Sequence, residues 1–95
     1  MSDLTFAALR RIIIQSIERI AKQQKRCLTS MDDDQPIFDF GFDSLCFAVL
    51  VERLESEFGC DPFNDIAEDD VPRTLGELFA LYADALIPAY RRPPR

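Results

Sequence analysis

Three stretches of helical apolar periodicity, each closed by a breaker, constrain this chain more than any other feature. In the first, Phe6, Leu9, Ile13, Ile17 and Ile20 recur at helical spacing, and Leu4, Ile12 and Ala21 widen the stripe. Ile12-Ile13-Ile14 alone would suit a strand, but the longer period decides for a helix. Its expected cap is Ser2 or Asp3 and its expected end Gln24 or Arg26, with Lys22, Lys25 and Arg26 at the negative end of the dipole. The second stretch places Leu45, Ala48, Leu50, Val51, Leu54 and Phe58 on one stripe between Ser44 and Phe58, ended by Gly59. In the third, Thr74 and Glu77 fit a capping box, Leu75, Leu78, Phe79, Tyr82 and Leu86 follow, and Pro88 stops the helix.

A helix with a single apolar stripe must bury it against a neighbour, so these three can share only one core. The expected fold is all-α: a small three-to-four-helix bundle with a long first loop. The fourth member would be a short turn from Phe63 to Ala67 after the break at Asp61-Pro62, with Phe63 and Ile66 facing inward. The loop from Leu28 to Asp43 spans sixteen residues, long for a compact domain, and Ile37, Phe38 and Phe40 are its expected pins. A chain of 95 residues accommodates one domain, 1–95, with its core over about 4–87 and a frayed tail over 88–95.

Several function classes drop out on composition. No apolar run approaches a membrane span, and the N-terminus lacks the basic start and apolar segment of a secretory signal, so the cytoplasm is expected. Cys27, Cys46 and Cys60 form no CxxC pair and the chain has no histidine, so no metal site is expected and the thiols read as reduced. Asp32, Asp33 and Asp34 lack the alternating ligands, glycine and distal glutamate of a calcium loop and read as a solvated run. Charge is segregated: Thr29 to Asp70 holds thirteen acidic residues against one arginine, while the two ends carry ten basic against four acidic. The acidic centre is a poor match for nucleic acid and a good one for basic patches on other proteins.

The chemistry concentrates at Phe40-Gly41-Phe42-Asp43-Ser44-Leu45, where a loop turns at a glycine and delivers a serine to a helix start. Asp43 or Ser44 can cap that helix, and a hydroxyl at the positive end of its dipole is well placed to carry an anion such as a phosphodiester. Independent hydrolysis is not expected, because a serine nucleophile needs a base and the chain offers no histidine and only Lys22 and Lys25 as lysines.

Gly-x-Asp-Ser-Leu, followed by a Val/Leu-rich acidic helix ending Glu-x-Glu-Phe-Gly, resembles the acyl carrier proteins. The resemblance covers about residues 4 to 87 and is strongest over 40 to 59. It implies that Ser44 bears 4′-phosphopantetheine, added from coenzyme A by a phosphopantetheinyl transferase, and that the arm's thiol carries acyl or aminoacyl groups as thioesters. Partners would be that transferase and an acyl- or aminoacyl-activating ligase or a synthase or transferase, with the carrier a monomer that has no catalysis of its own. By the family pattern Asp43 orients the transfer, Leu45 anchors the helix in the core, and Glu52, Glu55 and Glu57 join Asp43 in acidic partner contacts. The sequence departs from fatty-acid-type carriers at Cys46 and Val49, where the family commonly has acids, and Phe47 adds a ring. Cys46, Phe47 and Val49 therefore form a hydrophobic partner patch or pack on the phenylalanine-rich first loop, and the patch is the favoured expectation. A thiol two residues from Ser44 also raises the question of interference with thioester chemistry. These departures point to a specialised carrier rather than the housekeeping one of fatty-acid synthesis. The alternative is a non-modified helical adaptor in which Ser44 is only part of a helix start.

Overall fold

The computed structural model describes residues 4–39, 41–64, 66–67, 69, 71–87 and 90. Among these residues three helices make up the bundle: α1 (Phe6–Gln23), α2 (Ser44–Phe58) and α3 (Leu75–Leu86). Among the described residues there is no strand, only an isolated antiparallel bridge between Pro36 and Thr74. The expected short helix from Phe63 to Ala67 is a turn over residues 62–64, where Asp61 Oδ1 accepts from the Phe63 N–H at 3.0 Å, and Ile66 and Ala67 are not helical.

Helix α1 supplies the central stripe, with Leu9, Ile13, Ile17, Ile20 and Ala21 buried at near-ideal spacing. Its cap is Thr5, whose hydroxyl accepts from the Ala8 N–H at 3.1 Å; the expected caps Ser2 and Asp3 lie outside the described residues. Its C-terminus closes earlier than the basic run implied. The Arg26 N–H donates to the Ala21 carbonyl at 2.8 Å and the Lys25 N–H to the Lys22 carbonyl at 3.2 Å. Together these bonds form a Schellman motif with Lys25 in the left-handed region, φ 57°. Arg26 is thereby turned out of the helix instead of lying along its last turn.

The buried stripe of α2 is Cys46, Leu50 and Leu54, one helical turn apart. Leu45 and Ala48 belong to the opposite phase and are exposed, Leu45 at 58%. The expectation that Leu45 anchors the helix is therefore corrected. Cys46 takes that place because the Asp43 cap sets the rotation of the first turn. Gly59 ends α2 as expected, in the left-handed conformation at φ 74°. At α3, Thr74 Oγ1 accepts from the Glu77 N–H at 3.1 Å, but Glu77 reaches one residue further back than a capping box requires and accepts from the Arg73 N–H at 2.8 Å.

The first loop is stapled to the start of α3. Ile37 N–H donates to the Arg73 carbonyl, Leu75 N–H to that of Gln35, and Gly76 N–H to that of Asp33. Asp33 also takes the Arg10 guanidinium at 2.7 Å, so the middle of the aspartate run is a tether rather than only a solvated stretch. Of the expected pins, Ile37 is buried, Phe38 is 59% exposed and Phe40 lies outside the described residues. The deep pin is Phe42, at 1% exposure.

Helix α1 packs against both α2 and α3, whereas the space between α2 and α3 is bridged by rings. Phe47 meets Phe63 edge-on at 5.7 Å between centroids, Phe63 meets Tyr82 at 6.2 Å, and Tyr82 meets Phe58 at 6.0 Å. Tyr82 is fully buried, and among the described residues its hydroxyl has no hydrogen-bond partner. Burial, reinforced by Asp61, Cys60 and Glu55, pushes its ionisation well above the ordinary tyrosine range. An unpartnered buried hydroxyl costs about 1–3 kcal/mol of desolvation. Tyr82→Phe keeps the ring and should raise stability by about 1 kcal/mol, a Tm rise of about 4–8 °C in a domain of this size. Thermal unfolding of the two proteins side by side checks this; a fall in Tm would show that the hydroxyl has a partner.

Candidate functional site

The site is built on the junction between the first loop and α2. Gly41 adopts φ 95° and packs directly over the Cys27 backbone, where an added Cβ would overlap the carbonyl. That close approach brings the end of the α1 connection against the residues that precede α2. Phe42 then turns into the core, Asp43 caps the helix, and Ser44 and Leu45 face solvent. Cys46 turns inward again, four residues after Phe42, so two buried side chains hold the exposed pair between them.

Asp43 is fully engaged. Its Oδ1 accepts from the Cys46 N–H at 2.9 Å and its Oδ2 from Arg26 Nη2 at 2.6 Å. The bonds from Cys46, with the Arg26 charge behind them, hold the carboxyl below the usual carboxylate range, and the same pairing raises Arg26. Ser44 is therefore not the cap. It is the exposed first residue of the helix, free of any structural duty in capping.

The expected partner patch divides. Cys46 is buried and cannot present a surface, and burial raises its thiol above the ordinary value, which suppresses the reactive thiolate. Its interference with a neighbouring thioester is accordingly disfavoured. Phe47 is half-buried and packs edge-on against Phe38 of the first loop at 5.5 Å and against Phe63, so for Cys46 and Phe47 packing replaces the patch. Val49 is partly exposed in a shallow groove of about 370 Å³ with Glu52, Arg53 and Ser56. Glu52 follows Leu45 by seven residues and so shares its outward strip. Glu55 is exposed, while Glu57 lies apart, in a groove against α1 with Arg19 and Arg53. Phe38, Leu45 and Val71 are the large apolar side chains left exposed among the described residues.

A family model for the phosphopantetheine attachment site matches residues 11–79. The chain belongs to that family. Its cofactor is 4′-phosphopantetheine, and such carriers work with a transferase and with biosynthetic enzymes. The chain is also similar to the solution structure of MacpD, an acyl carrier protein from Pseudomonas fluorescens involved in mupirocin biosynthesis. The two are 26% identical, with a TM-score of 0.71, over 94% of this chain and 80% of MacpD. No curated protein matches the chain. The all-α bundle expected of a phosphopantetheine carrier is thus the fold observed.

The junction fits the phosphopantetheine group. A phosphodiester needs an exposed hydroxyl, unhindered approach and a positive environment, and Ser44 at the start of α2 meets the first two directly. The helix dipole contributes the third. Two residues that shape the site carry little local signal: Arg26 follows the pattern of a basic helix end, and Phe42 is one of several phenylalanines in the first loop. A left-handed lysine carries no sequence signal as clear as glycine, so the turn that frees Arg26 was not legible.

Proposed function

We propose that Ser44 is the residue that bears 4′-phosphopantetheine and that the protein is an acyl carrier of specialised biosynthesis. The observation that carries this reading is the exposure of Ser44 at a helix start already capped by Asp43. The serine hydroxyl is spared for modification while its neighbours fix its position. In the modification, Ser44 Oγ forms a phosphoester bond as the pyrophosphate link of coenzyme A breaks. The adenosine bisphosphate leaves with the electron pair, and the serine proton passes to a base on the transferase.

Loaded, the arm's thiol would hold acyl or aminoacyl groups as thioesters, and catalysis would lie with the partners that receive them. Leu45 and Glu52 on one outward strip, with exposed Glu55, are suited to a partner surface that combines an apolar contact with basic charge. On this reading residues from about 4 to 87 form one carrier domain, acting as a monomer in the cytoplasm. Likeness to MacpD supports a specialised pathway over housekeeping fatty-acid synthesis.

Incubating the protein with coenzyme A and a broad-specificity phosphopantetheinyl transferase should add the mass of one arm, read by intact mass spectrometry. Folded protein that gains nothing from two different transferases would overturn the carrier reading in favour of a non-modified adaptor.

A further inference from the structure

We propose that Arg26 is a ligand for the cofactor's phosphate, its guanidinium bridging the Asp43 carboxylate and the phosphodiester carried on Ser44. The inference rests on the assignment of Ser44 as the modified residue. It begins with a problem of charge: modification places an anion beside the Asp43 carboxylate, in a segment where acidic residues greatly outnumber basic ones. Like charges at adjacent positions repel unless a cation lies between them. The one basic residue between Thr29 and Asp70 is Arg53, and it lies in the grooves along α2, beside Glu57 and Glu52.

The helix start meets only part of the need. The N–H groups of Ser44 and Leu45 are open to a phosphate, but that of Cys46 is taken by Asp43 Oδ1 at 2.9 Å, and a helix end offers about half a unit charge against two anions. Arg26 is the cation that the fold brings to this point. Its Nη2 donates to Asp43 Oδ2 at 2.6 Å, and the Cys46 thiol lies beside the same guanidinium. A guanidinium has five N–H donors in a fixed fork suited to carboxylates and phosphates alike. Asp43 is the one carboxylate paired with it among the described residues, and the Arg26 side chain is 39% exposed, which leaves part of the fork open to solvent.

The side chain is also held before any phosphate arrives. Its backbone is locked by the Schellman bond to Ala21 and its tip by Asp43, so less rotamer freedom is lost on binding than for a free surface arginine. Gly41, packed on the next residue, Cys27, keeps this segment against the junction.

The test compares apo and loaded forms of wild type, Arg26→Gln and Arg26→Lys. Loading should leave the wild-type Tm level or raised, whereas loaded Arg26→Gln should fall below its own apo form by about 2–4 °C at low salt, less at high salt. The phosphorus NMR signal of the loaded protein should move on Arg26→Gln and move less on Arg26→Lys. Equal loaded-minus-apo shifts in wild type and Arg26→Gln, with an unmoved phosphorus signal, would overturn the proposal and leave Arg26 as a partner of Asp43 alone. If apo Arg26→Gln does not fold, the Arg26 Nε resonance of wild type decides: a shift on loading supports the contact and none overturns it. A protein whose mass shows no arm, or an arm on a residue other than Ser44, would instead defeat the assignment of the serine.

Discussion

Ser44→Ala should abolish addition of the phosphopantetheine arm while leaving the fold intact. The reaction needs an oxygen at this position and alanine has none, so the loss is complete rather than graded. Stability should change by less than about 0.5 kcal/mol, because Ser44 is exposed and the cap belongs to Asp43. Intact mass after treatment with coenzyme A and transferase gives the first readout, and urea unfolding gives the second. An arm still attached to the alanine variant would move the site to another residue. A large loss of stability would show that Ser44 has a structural task and would weaken any conclusion from the missing arm.

Phe42→Ala should be the most damaging single substitution near the site, costing about 3–5 kcal/mol. Phe42 is 1% exposed and sits in the core cluster with α1 and α3 residues such as Ile13 and Phe79. It is the anchor between the Gly41 turn and the Asp43 cap, so its loss leaves a cavity at the point where the loop must hold its course. Total stabilities of small domains are about 5–15 kcal/mol, so this is a large share of the whole. Urea titration should show a much lower midpoint, and loading should slow under conditions where the variant is partly unfolded. A cost below about 1 kcal/mol would mean that the ring contributes little packing. Comparison with Phe47→Ala separates depth from mere aromaticity: Phe47 is half-buried among Phe38 and Phe63 and should cost less.

Periodicity and breakers carried most of the fold. The Ile-rich stripe of α1, the span of α2 from Ser44 to Phe58, its glycine end and the Thr74 cap of α3 all follow from local rules acting within a few residues. The motif around Ser44 pointed to the same family that residues 11–79 match. Local rules were weaker where apolar residues crowd every face. Leu45, Cys46, Phe47 and Ala48 are all apolar, so composition could not set the phase of the first turn. The cap and the packing of Cys46 against the core did so, leaving Leu45 in solvent.

What the sequence by itself determined is the three long amphipathic helices, their shared core and the serine at a helix start, because each depends on neighbours within a turn or two. What only the tertiary structure decided is which aromatic rings are pins, which acids are tethered and which cation meets Asp43. Those depend on contacts between residues far apart in the chain: Arg26 with Asp43, Arg10 with Asp33, Gly41 with Cys27. No local pattern encodes such pairs, since an exposed arginine pays as little to point one way as another until the loop and helix around it are in place.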